Sequence, residues 1–304
     1  MPRPDPSTPL RSLLFTPGSN ERMLAKAPAS GADCALLDLE DAVAPDRKEG
    51  ARPMVLQAIK EIRATKGGPP VIAVRTNGVA SGLLEADLEV IVCPELDVIN
   101  LPMPTSAADI HAADAMLTRL EKERGLEAGS IGIIALIETA GGLLNCYDIC
   151  TAAERMVGIG LGSAEGGDLY NDLGATWTAD GSTILYARSK ALMDARAAGM
   201  PFPTDGPFTR IDDPEGCRAD ATRARQIGFI GKSAIHPSQV AILNEVFSPS
   251  ADEVDFLREM IDAYYEAERA GLGAVTFRGR MIDIAMVKDG ERVIGLADSI
   301  AALS

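Results

Sequence analysis

The 304-residue sequence contains few of the features on which secreted or membrane-spanning proteins depend. Its five cysteines are an odd number and lie far apart, which indicates reduced thiols rather than a disulfide framework. Its apolar runs are far shorter than the roughly 18 residues that a membrane span needs. The first residues, MPRPDPSTPLR, lack the apolar core of a signal peptide. We therefore expect a cytoplasmic protein that does not act at a membrane.

Positive charge and histidine are also scarce. The 29 Lys and Arg residues against 44 Asp and Glu residues give a formal charge of −15, a field that repels nucleic acid, so we expect no nucleic-acid partner. With only His111 and His236 present, the sequence offers no convincing Ser–His–Asp or Cys–His grouping. Cys146 and Cys150 lack the second pair that a soft-metal site requires, and we interpret them as packing residues.

Apolar residues make up 46% of the chain and charged residues 24%, a balance typical of a globular protein with a sizeable core. The apolar stretches are short and continuous rather than alternating, which favours parallel strands that are buried on both faces. Eight stretches predict strands, at residues 12–16, 34–39, 71–76, 98–101, 131–138, 156–161, 200–204 and 228–232.

Segments of helical composition lie between these strands, at residues 21–30, 48–65, 107–124, 143–153, 183–198 and 215–226. Eight βα units in about 250 residues predict an α/β fold of the (β/α)8 TIM-barrel type. A Rossmann domain is disfavoured because no GxGxxG motif follows the first strand. We therefore assign residues 1–249 to a TIM-barrel catalytic domain.

The remaining residues, 250–304, are predicted to form a C-terminal helix and lid extension. Ser250 and Glu253 have the spacing of a capping box, and Gly271 supplies the end of the helix that the box begins. Residues 274–304 fall outside the eight-unit count. A segment of this size after a finished barrel indicates a cap, a lid or an arm that covers a neighbouring subunit, with a stabilising hairpin as the alternative.

Polar residues follow several predicted strands, where the active sites of TIM barrels lie. Glu138 and Asp168 follow adjacent strands and are candidate ligands of Mg²⁺ or Mn²⁺, because a buried carboxylate needs a cationic partner. Arg75 offers a permanently charged fork for a substrate carboxylate or oxyanion. The other residues at these strand ends include Thr16, Pro17, Gly18, Asp38, Glu40 and Asp41.

The residues alone leave other interpretations open. A salt bridge between Glu138 and Arg75 and a turn-capping role for Asp168 are as compatible with the spacing as metal binding is. His236 follows the last predicted strand, but a single histidine is more often structural than catalytic, and His111 is expected on the surface.

Several longer strings together resemble a known family. In order along the chain they are SLLFTPGSNERMLAKA, GADCALLDLEDAVAPDRK, VRTNG, ALIETAGGLLN, GDLYNDLGA, GFIGKSAIHPSQV and FSPS. The combination resembles the citrate lyase β-subunit-like proteins of the HpcH/HpaI aldolase family, which include malyl-CoA lyase, citramalyl-CoA lyase and malyl-CoA thioesterase. The resemblance spans about residues 11–290.

The resemblance implies a (β/α)8 barrel with Mg²⁺-dependent carbon–carbon lyase chemistry on short 3-hydroxyacyl-CoA thioesters of the malyl-, citramalyl- or citryl-CoA type. The alternatives are a thioesterase, a citrate lyase β subunit that acts on an acyl-carrier-protein thioester, and a non-catalytic barrel that binds CoA or a partner. The resemblance also implies homotrimers or homohexamers in which a C-terminal lid covers a neighbour's active site.

Carried over to this chain, the family's motifs assign roles to individual residues. Glu138 and Asp168 match the metal ligands, and Arg75 matches the arginine that engages the keto-acid fragment. Asp283, in the string GRMID, matches an acid/base that reaches across the subunit boundary. The acidic residues expected to orient metal-bound waters and Arg75 are Asp38, Glu40 and Asp41. The residues expected on the substrate side are Thr16, Pro17, Gly18, Arg22 and Lys26, the last two as partners of the CoA phosphates or as solvated helix charges.

Three features depart from the family pattern. Met103 stands where family members commonly carry a lysine, and Thr76 replaces a valine. The loop before Asp168 is longer and richer in glycine. These differences bear on which keto acid is accepted, and the cation lost at Met103 keeps the non-catalytic alternative open.

Overall fold

A computed structural model describes residues 4–303 and divides the chain into two compact units. The first contains Leu10–Phe247, and the second begins at Ser248 and also includes Ser7–Pro9. Each unit has its own hydrophobic core.

The first unit is built on a closed barrel of eight parallel strands, each hydrogen-bonded to the next, with β8 pairing with β1. The strands are β1 (Ser12–Pro17), β2 (Cys34–Asp38), β3 (Val71–Arg75), β4 (Val98–Pro102), β5 (Gly132–Ile137), β6 (Met156–Leu161), β7 (Phe202–Asp205) and β8 (Gly231–Ala234). Nearly all of their residues are buried, as parallel strands covered on both faces require. The predicted α/β TIM-barrel fold is confirmed.

Helices alternate with the strands around this barrel. They are α1 (Glu21–Leu24), α2 (Lys48–Ala64), α3 (Leu84–Ile91), α4 (Ala107–Glu123), α5 (Ala140–Leu144), α6 (Cys146–Thr151), α7 (Asp168–Leu173), α8 (Leu185–Ala197), α9 (Pro214–Ile227) and α10 (Pro237–Phe247). Side chains alternate along each strand between two apolar layers. In β2, for example, Cys34 and Leu36 belong to the smaller cluster, whereas Ala35 and Leu37 belong to the larger cluster that the helices share.

The structure corrects three of the predicted boundaries. The eighth strand begins at Gly231 rather than at residue 228, because Gly228 has a left-handed φ of 119° and ends α9. The segment 143–153 belongs to two short helices that meet at Asn145. The segment 21–30 is helical only to Leu24 and continues as a 3₁₀ turn over Ala27–Ala29, where Pro28 lacks the amide hydrogen that a longer helix needs.

The second unit contains α11 (Ala251–Arg269), β9 (Val275–Phe277), β10 (Arg280–Ile282) and α12 (Ile284–Ala301). Ser250 caps α11 by accepting a hydrogen bond from the Glu253 amide at 3.1 Å. The two strands form an antiparallel hairpin. Tyr264 of α11, Ile282 of the hairpin and Val287 of α12 are buried together, so this unit packs around its own apolar centre.

All five cysteines are free and buried, and the predicted packing role of Cys146 and Cys150 fits their near-zero exposure. Between residues 4 and 303, no helix combines the length and apolarity that crossing a bilayer requires.

Candidate functional site

Charged side chains lie at the carboxyl ends of two neighbouring strands, β2 and β3, on the face that points into the barrel. Asp38 and Arg75 end β2 and β3 on the same face as the apolar residues Leu36 and Ala73. They are also paired in register, so that their side chains meet. Apolar packing inside the barrel is thus followed, at the carboxyl ends of the strands, by an ion pair.

The guanidinium group of Arg75 is paired with three carboxylates of the loop after β2. Its Nε and Nη2 donate to the two carboxylate oxygens of Asp38 at 2.8 and 2.6 Å. Its Nη1 lies 2.9 Å from Glu40 Oε2 and 3.3 Å from Asp41 Oδ2. The guanidinium also lies over the ring of Phe15, 4.9 Å from its centroid. Two of the nitrogens expected to face a substrate therefore donate to Asp38, and Nη1 faces Glu40 and Asp41.

The acidic loop after β2 is fixed by hydrogen bonds to its backbone. Asp38 accepts from the amides of Glu40 and Ala42 at 2.9 and 3.2 Å. Lys48, at the start of α2, donates to the carbonyls of Leu39 and Glu40 at 2.9 Å each. Burial raises the pKa of Glu40 to about 7, even though the nearby Arg75 guanidinium lowers it.

Glu138 follows β5 and is partly buried against the backbone of the next strand's end. A Cβ atom on Gly162 would lie 2.5 Å from Glu138 Cγ, so a glycine is required there to leave room for the carboxylate. Burial, followed by repulsion from Glu40, raises the pKa of Glu138 to about 8, and Asp168 contributes in the same direction. In the described part of the chain no ion pair joins Glu138 to Arg75, so the salt-bridge alternative is not realised.

Asp168 is the first residue of α7 and has an exposed side chain. The cap position belongs to Gly167, and no side chain caps this helix, so the turn-capping alternative is not realised either. The carboxylate lies at the positive end of a short helix and approaches Glu138 closely enough to raise its pKa.

These groups share a cavity of about 450 Å³ within the barrel unit. Its polar wall contains Asp38, Asp41, Arg75, Glu138 and Asp168. Its apolar and small residues are Phe15, Pro17, Met23, Ala42, Leu136, Leu161, Gly162, Ala164, Gly167, Gly206, Pro207 and Ile235, and Ser233 completes the lining. The arrangement joins charge to apolar surface, as small-molecule sites do.

The donor set fits a hard divalent cation. We call Asp38, Glu40, Asp41, Arg75, Glu138 and Asp168 the site cluster. It contains more carboxylates than cations, and the buried Oε2 of Glu40 has only the Arg75 ion pair and no well-aligned hydrogen bond. Within residues 4–303 no three His, Cys, Asp or Glu side chains converge as a ready-made metal cage. Two carboxylates with open positions suit Mg²⁺, which keeps several waters, better than Zn²⁺.

Of the predicted substrate-side residues, Pro17 alone lines this cavity. Thr16 is buried in β1. Gly18 donates to the Asp38 carbonyl at 2.8 Å, and a Cβ atom there would lie 2.5 Å from that oxygen. Arg22 and Lys26 are exposed on and just after α1, and neither belongs to the cavity lining.

Met103 and Asp283 are also not among the residues that line the cavity. Met103 follows β4 with a left-handed φ of 50° and an exposure of 38%. Asp283 is exposed and caps α12 by accepting from the amides of Ala285 and Met286 at 3.0 and 3.2 Å.

Sequence reasoning missed several groups that shape the site. Lys48 fixes the acidic loop, Phe15 supports Arg75, and Met23 forms part of the wall. The alternation in β1 that places Phe15 beside Pro17 was a usable signal. The roles of Lys48 and Gly162 depend on contacts between separate loops, which no local pattern specifies.

Comparison with known proteins places these features in a family. Residues 11–237, well over half of the chain, match the family described as HpcH/HpaI aldolase/citrate lyase. The chain is 36% identical to a citrate lyase subunit beta of Leuconostoc mesenteroides subsp. cremoris, with 95% of this chain and 93% of the relative covered. It is also 36% identical to an L-malyl-CoA/beta-methylmalyl-CoA lyase of Cereibacter sphaeroides, with 98% of each chain covered.

Among solved structures, the protein CitE from Mycobacterium tuberculosis in complex with magnesium, acetoacetate and coenzyme A superposes with a TM-score of 0.72. The two sequences are 28% identical, and the alignment covers 94% of this chain and 97% of the other. Family match, full-length relatives and fold agree, and the chain therefore belongs to the HpcH/HpaI aldolase/citrate lyase family and is a lyase.

Proposed function

We propose that the protein is a Mg²⁺-dependent carbon–carbon lyase that cleaves a short 3-hydroxyacyl-CoA thioester into an acyl-CoA and a 2-keto acid. The observation that carries this proposal is the shared cavity of Glu138, Asp168 and Arg75, where carboxylates outnumber cations. Malyl-CoA, citramalyl-CoA and citryl-CoA are the substrate types that fit this chemistry.

Glu138 and Asp168 would hold the ion, with Mn²⁺ as a possible replacement for Mg²⁺. When bound, the ion supplies Lewis-acid stabilisation of the oxygen that changes from hydroxyl to carbonyl. The relatives support this assignment, since the M. tuberculosis protein was solved with magnesium, acetoacetate and coenzyme A.

The protein's own groups orient the reacting atoms. Asp38 accepts from Nε and Nη2 of Arg75. We assign Nη1, which lies 2.9 Å from Glu40 and 3.3 Å from Asp41, to a carboxylate or carbonyl oxygen of the keto-acid half. During cleavage the hydroxyl loses its proton to solvent water, the carbon–carbon bond breaks, and the electron pair passes to the acyl-CoA as an enolate. The enolate's α-carbon then takes up a proton, and the same steps in reverse join the two products.

We assign this proton transfer to Asp283 of a neighbouring subunit in a homotrimer or homohexamer, as the family resemblance implies. Arg22 and Lys26 are exposed and are the cations that we assign to the CoA phosphates. The assembly is assigned to the cytoplasm, where CoA thioesters are available to it.

The test is incubation of the purified full-length chain with malyl-CoA, citramalyl-CoA and citryl-CoA, first with Mg²⁺ and then with EDTA. Keto acid and free thiol are measured separately. We expect keto acid to form together with an acyl-CoA, and EDTA to stop the reaction. Free CoA without keto acid would identify a thioesterase, and silence across the panel would exclude a lyase of these CoA thioesters.

A second candidate is the β subunit of a citrate lyase that acts on an acyl-carrier-protein thioester. The observation in its favour is the 36% identity to a citrate lyase subunit beta over almost the full length of both chains. Mg²⁺-dependent cleavage of a citryl-carrier-protein thioester, with no reaction on free CoA thioesters, would select this candidate.

A further inference from the structure

The turn between β6 and α7, residues 162–167, is anchored by a buried serine. Ser163 Oγ donates to Asp205 Oδ1 at 2.7 Å and accepts from the Gly206 amide at 3.1 Å. Ser163 is only 4% exposed. Its hydroxyl therefore joins the turn that leads to Asp168 to the end of β7.

Asp205 is a rigid anchor because it belongs to a set of paired, buried charges. We call Arg188, Asp205, Asp220 and Lys232 the Lys232 cluster. Lys232 lies 2.6 Å from Asp205 and 2.7 Å from Asp220, and Arg188 lies 2.9 Å from both carboxylates. With all four side chains 1–8% exposed or fully buried, none can move without exposing an unpaired charge.

The backbone around Ser163 is also confined on both sides. A Cβ atom on Gly206 would lie 2.6 Å from the Ser163 amide nitrogen. On the other side, the Gly162 amide donates to the Ile137 carbonyl at 2.8 Å, and Gly162 lies directly against Glu138. A displacement at Ser163 would therefore disturb the surroundings of Glu138 and the start of the helix that carries Asp168.

We propose that Ser163, held by Asp205, is a positioning residue that sets the placement of Glu138 and Asp168 and thereby the affinity for a divalent cation. This inference rests on the proposed function, because it presumes that these two carboxylates bind the ion. Ser163 itself is not a ligand. It acts through the turn, much as outer hydrogen-bond partners orient metal ligands in other proteins.

An outer contact on the same turn provides a matched control. Glu165 pairs with Arg210 at 3.0 Å, and Arg210 lies over the ring of Trp177 at 4.2 Å. Both charged side chains are substantially exposed, so solvent screens their attraction. This pair is expected to contribute far less to the placement of Asp168 than the buried serine does.

The test measures Mg²⁺ affinity of the full-length chain by isothermal titration calorimetry, without substrate. Ser163→Ala is expected to weaken Mg²⁺ binding about tenfold. Glu165→Gln is expected to stay within about twofold of the wild type. Ser163→Cys keeps a weak donor, and we expect it to bind with intermediate affinity.

The outcomes separate this inference from the proposed function. Wild-type affinity in Ser163→Ala, or an equal loss in Glu165→Gln, would overturn the positioning role while leaving the metal site intact. If Ser163→Ala does not fold, wild-type affinity in Ser163→Cys would overturn it in the same way. A wild-type chain that binds no Mg²⁺ would remove the metal site itself, and the positioning role with it.

Discussion

Two groups of charged side chains in the barrel unit differ in how well their charges balance. In the Lys232 cluster, two cations face two carboxylates at 2.6–2.9 Å. Burial alone would raise the pKa of Asp205, but Lys232 and Arg188 outweigh it and lower the pKa. In the site cluster, burial and neighbouring carboxylates raise the pKa of Glu138 to about 8.

The difference indicates what each cluster is for. The paired charges of the Lys232 cluster join β7 and β8 to the surrounding helices, and the partly exposed Arg223 adds a third cation beside Asp220. A set with too few cations is unfavourable in the isolated protein, and such perturbed groups in a cleft are typical of functional sites. If this is correct, substitutions in the Lys232 cluster should mainly lower stability, and substitutions in the site cluster should mainly weaken metal binding.

Lys232→Met should destabilise the protein most. It leaves Asp205 and Asp220 buried with Arg188 as their shared cation, and breaking a buried pair in this way costs about 3–5 kcal/mol. Urea unfolding measures the change in free energy. Arg218→Met, which removes an exposed ion pair to Glu245, is the control and should be close to the wild type. Equal effects of the two substitutions would contradict the structural role of the Lys232 cluster.

Glu138→Gln should reduce activity strongly and leave stability nearly unchanged. We expect a loss of at least about 100-fold in metal-dependent turnover, because one of two protein ligands is removed. The metal-free protein should keep its stability or gain about 1 kcal/mol, since the amide carries no uncompensated charge. Steady-state kinetics and urea unfolding in EDTA test both expectations. A large loss of stability in EDTA would mean that Glu138 is a structural residue.

Mg²⁺ should stabilise the wild type but not Glu138→Gln. An ion that binds only the folded state adds about 2.7 kcal/mol at a hundredfold excess over its Kd. Thermal unfolding with Mg²⁺ and with EDTA measures the difference. Arg218→Met, which removes only the exposed ion pair to Glu245, should retain the gain from Mg²⁺. Loss of the gain in this control would mean that it does not come from the site cluster.

Gly162→Ala should disturb the site more than the fold. The added methyl group would lie 2.5 Å from Glu138 Cγ, and such crowding costs about 1–3 kcal/mol unless the carboxylate moves. We expect weaker Mg²⁺ binding together with a modest drop in Tm. Gly50→Ala is the matched control, because it lies in α2 with nothing within 4 Å and should raise helix stability by up to about 1 kcal/mol.

The Lys232 cluster should also make stability fall in acid. The folded-state pKa of Asp220 is lowered by Lys232 and Arg188 against the effect of burial, so its contribution is present above the ordinary Asp pKa and is lost as the pH falls below it. Asp220→Asn should therefore lose less stability than the wild type between about pH 5 and pH 2. Urea unfolding across this range measures the two slopes, and identical slopes would rule out this linkage.

The fold was largely predictable because parallel strands buried on both faces have a distinctive composition. Continuous runs such as VIAVR and GIIALI locate β3 and β5 to within a residue or two. The eighth strand was misplaced because Gly228, Phe229 and Ile230 have the same composition as a strand but follow a helix end. Glycine's left-handed conformation at position 228 is a backbone property that composition does not reveal.

The site was predictable only where the strand-end rule applies. Arg75, Glu138 and Asp38 end or follow strands, and the structure brings them to one cavity. The salt bridge between Asp38 and Arg75 could not be predicted from sequence spacing, because it depends on the register between β2 and β3. Ser163 and Asp205 are 42 residues apart, and their contact needs the closed barrel.

Direct Mg²⁺ titration by calorimetry tests whether Glu138 and Asp168 together bind a divalent cation. We expect saturable binding of a single ion to the wild-type chain and none to the Glu138→Gln, Asp168→Asn double variant, with both proteins folded by circular dichroism. Undiminished binding to the double variant, or none to the wild type, would contradict this assignment.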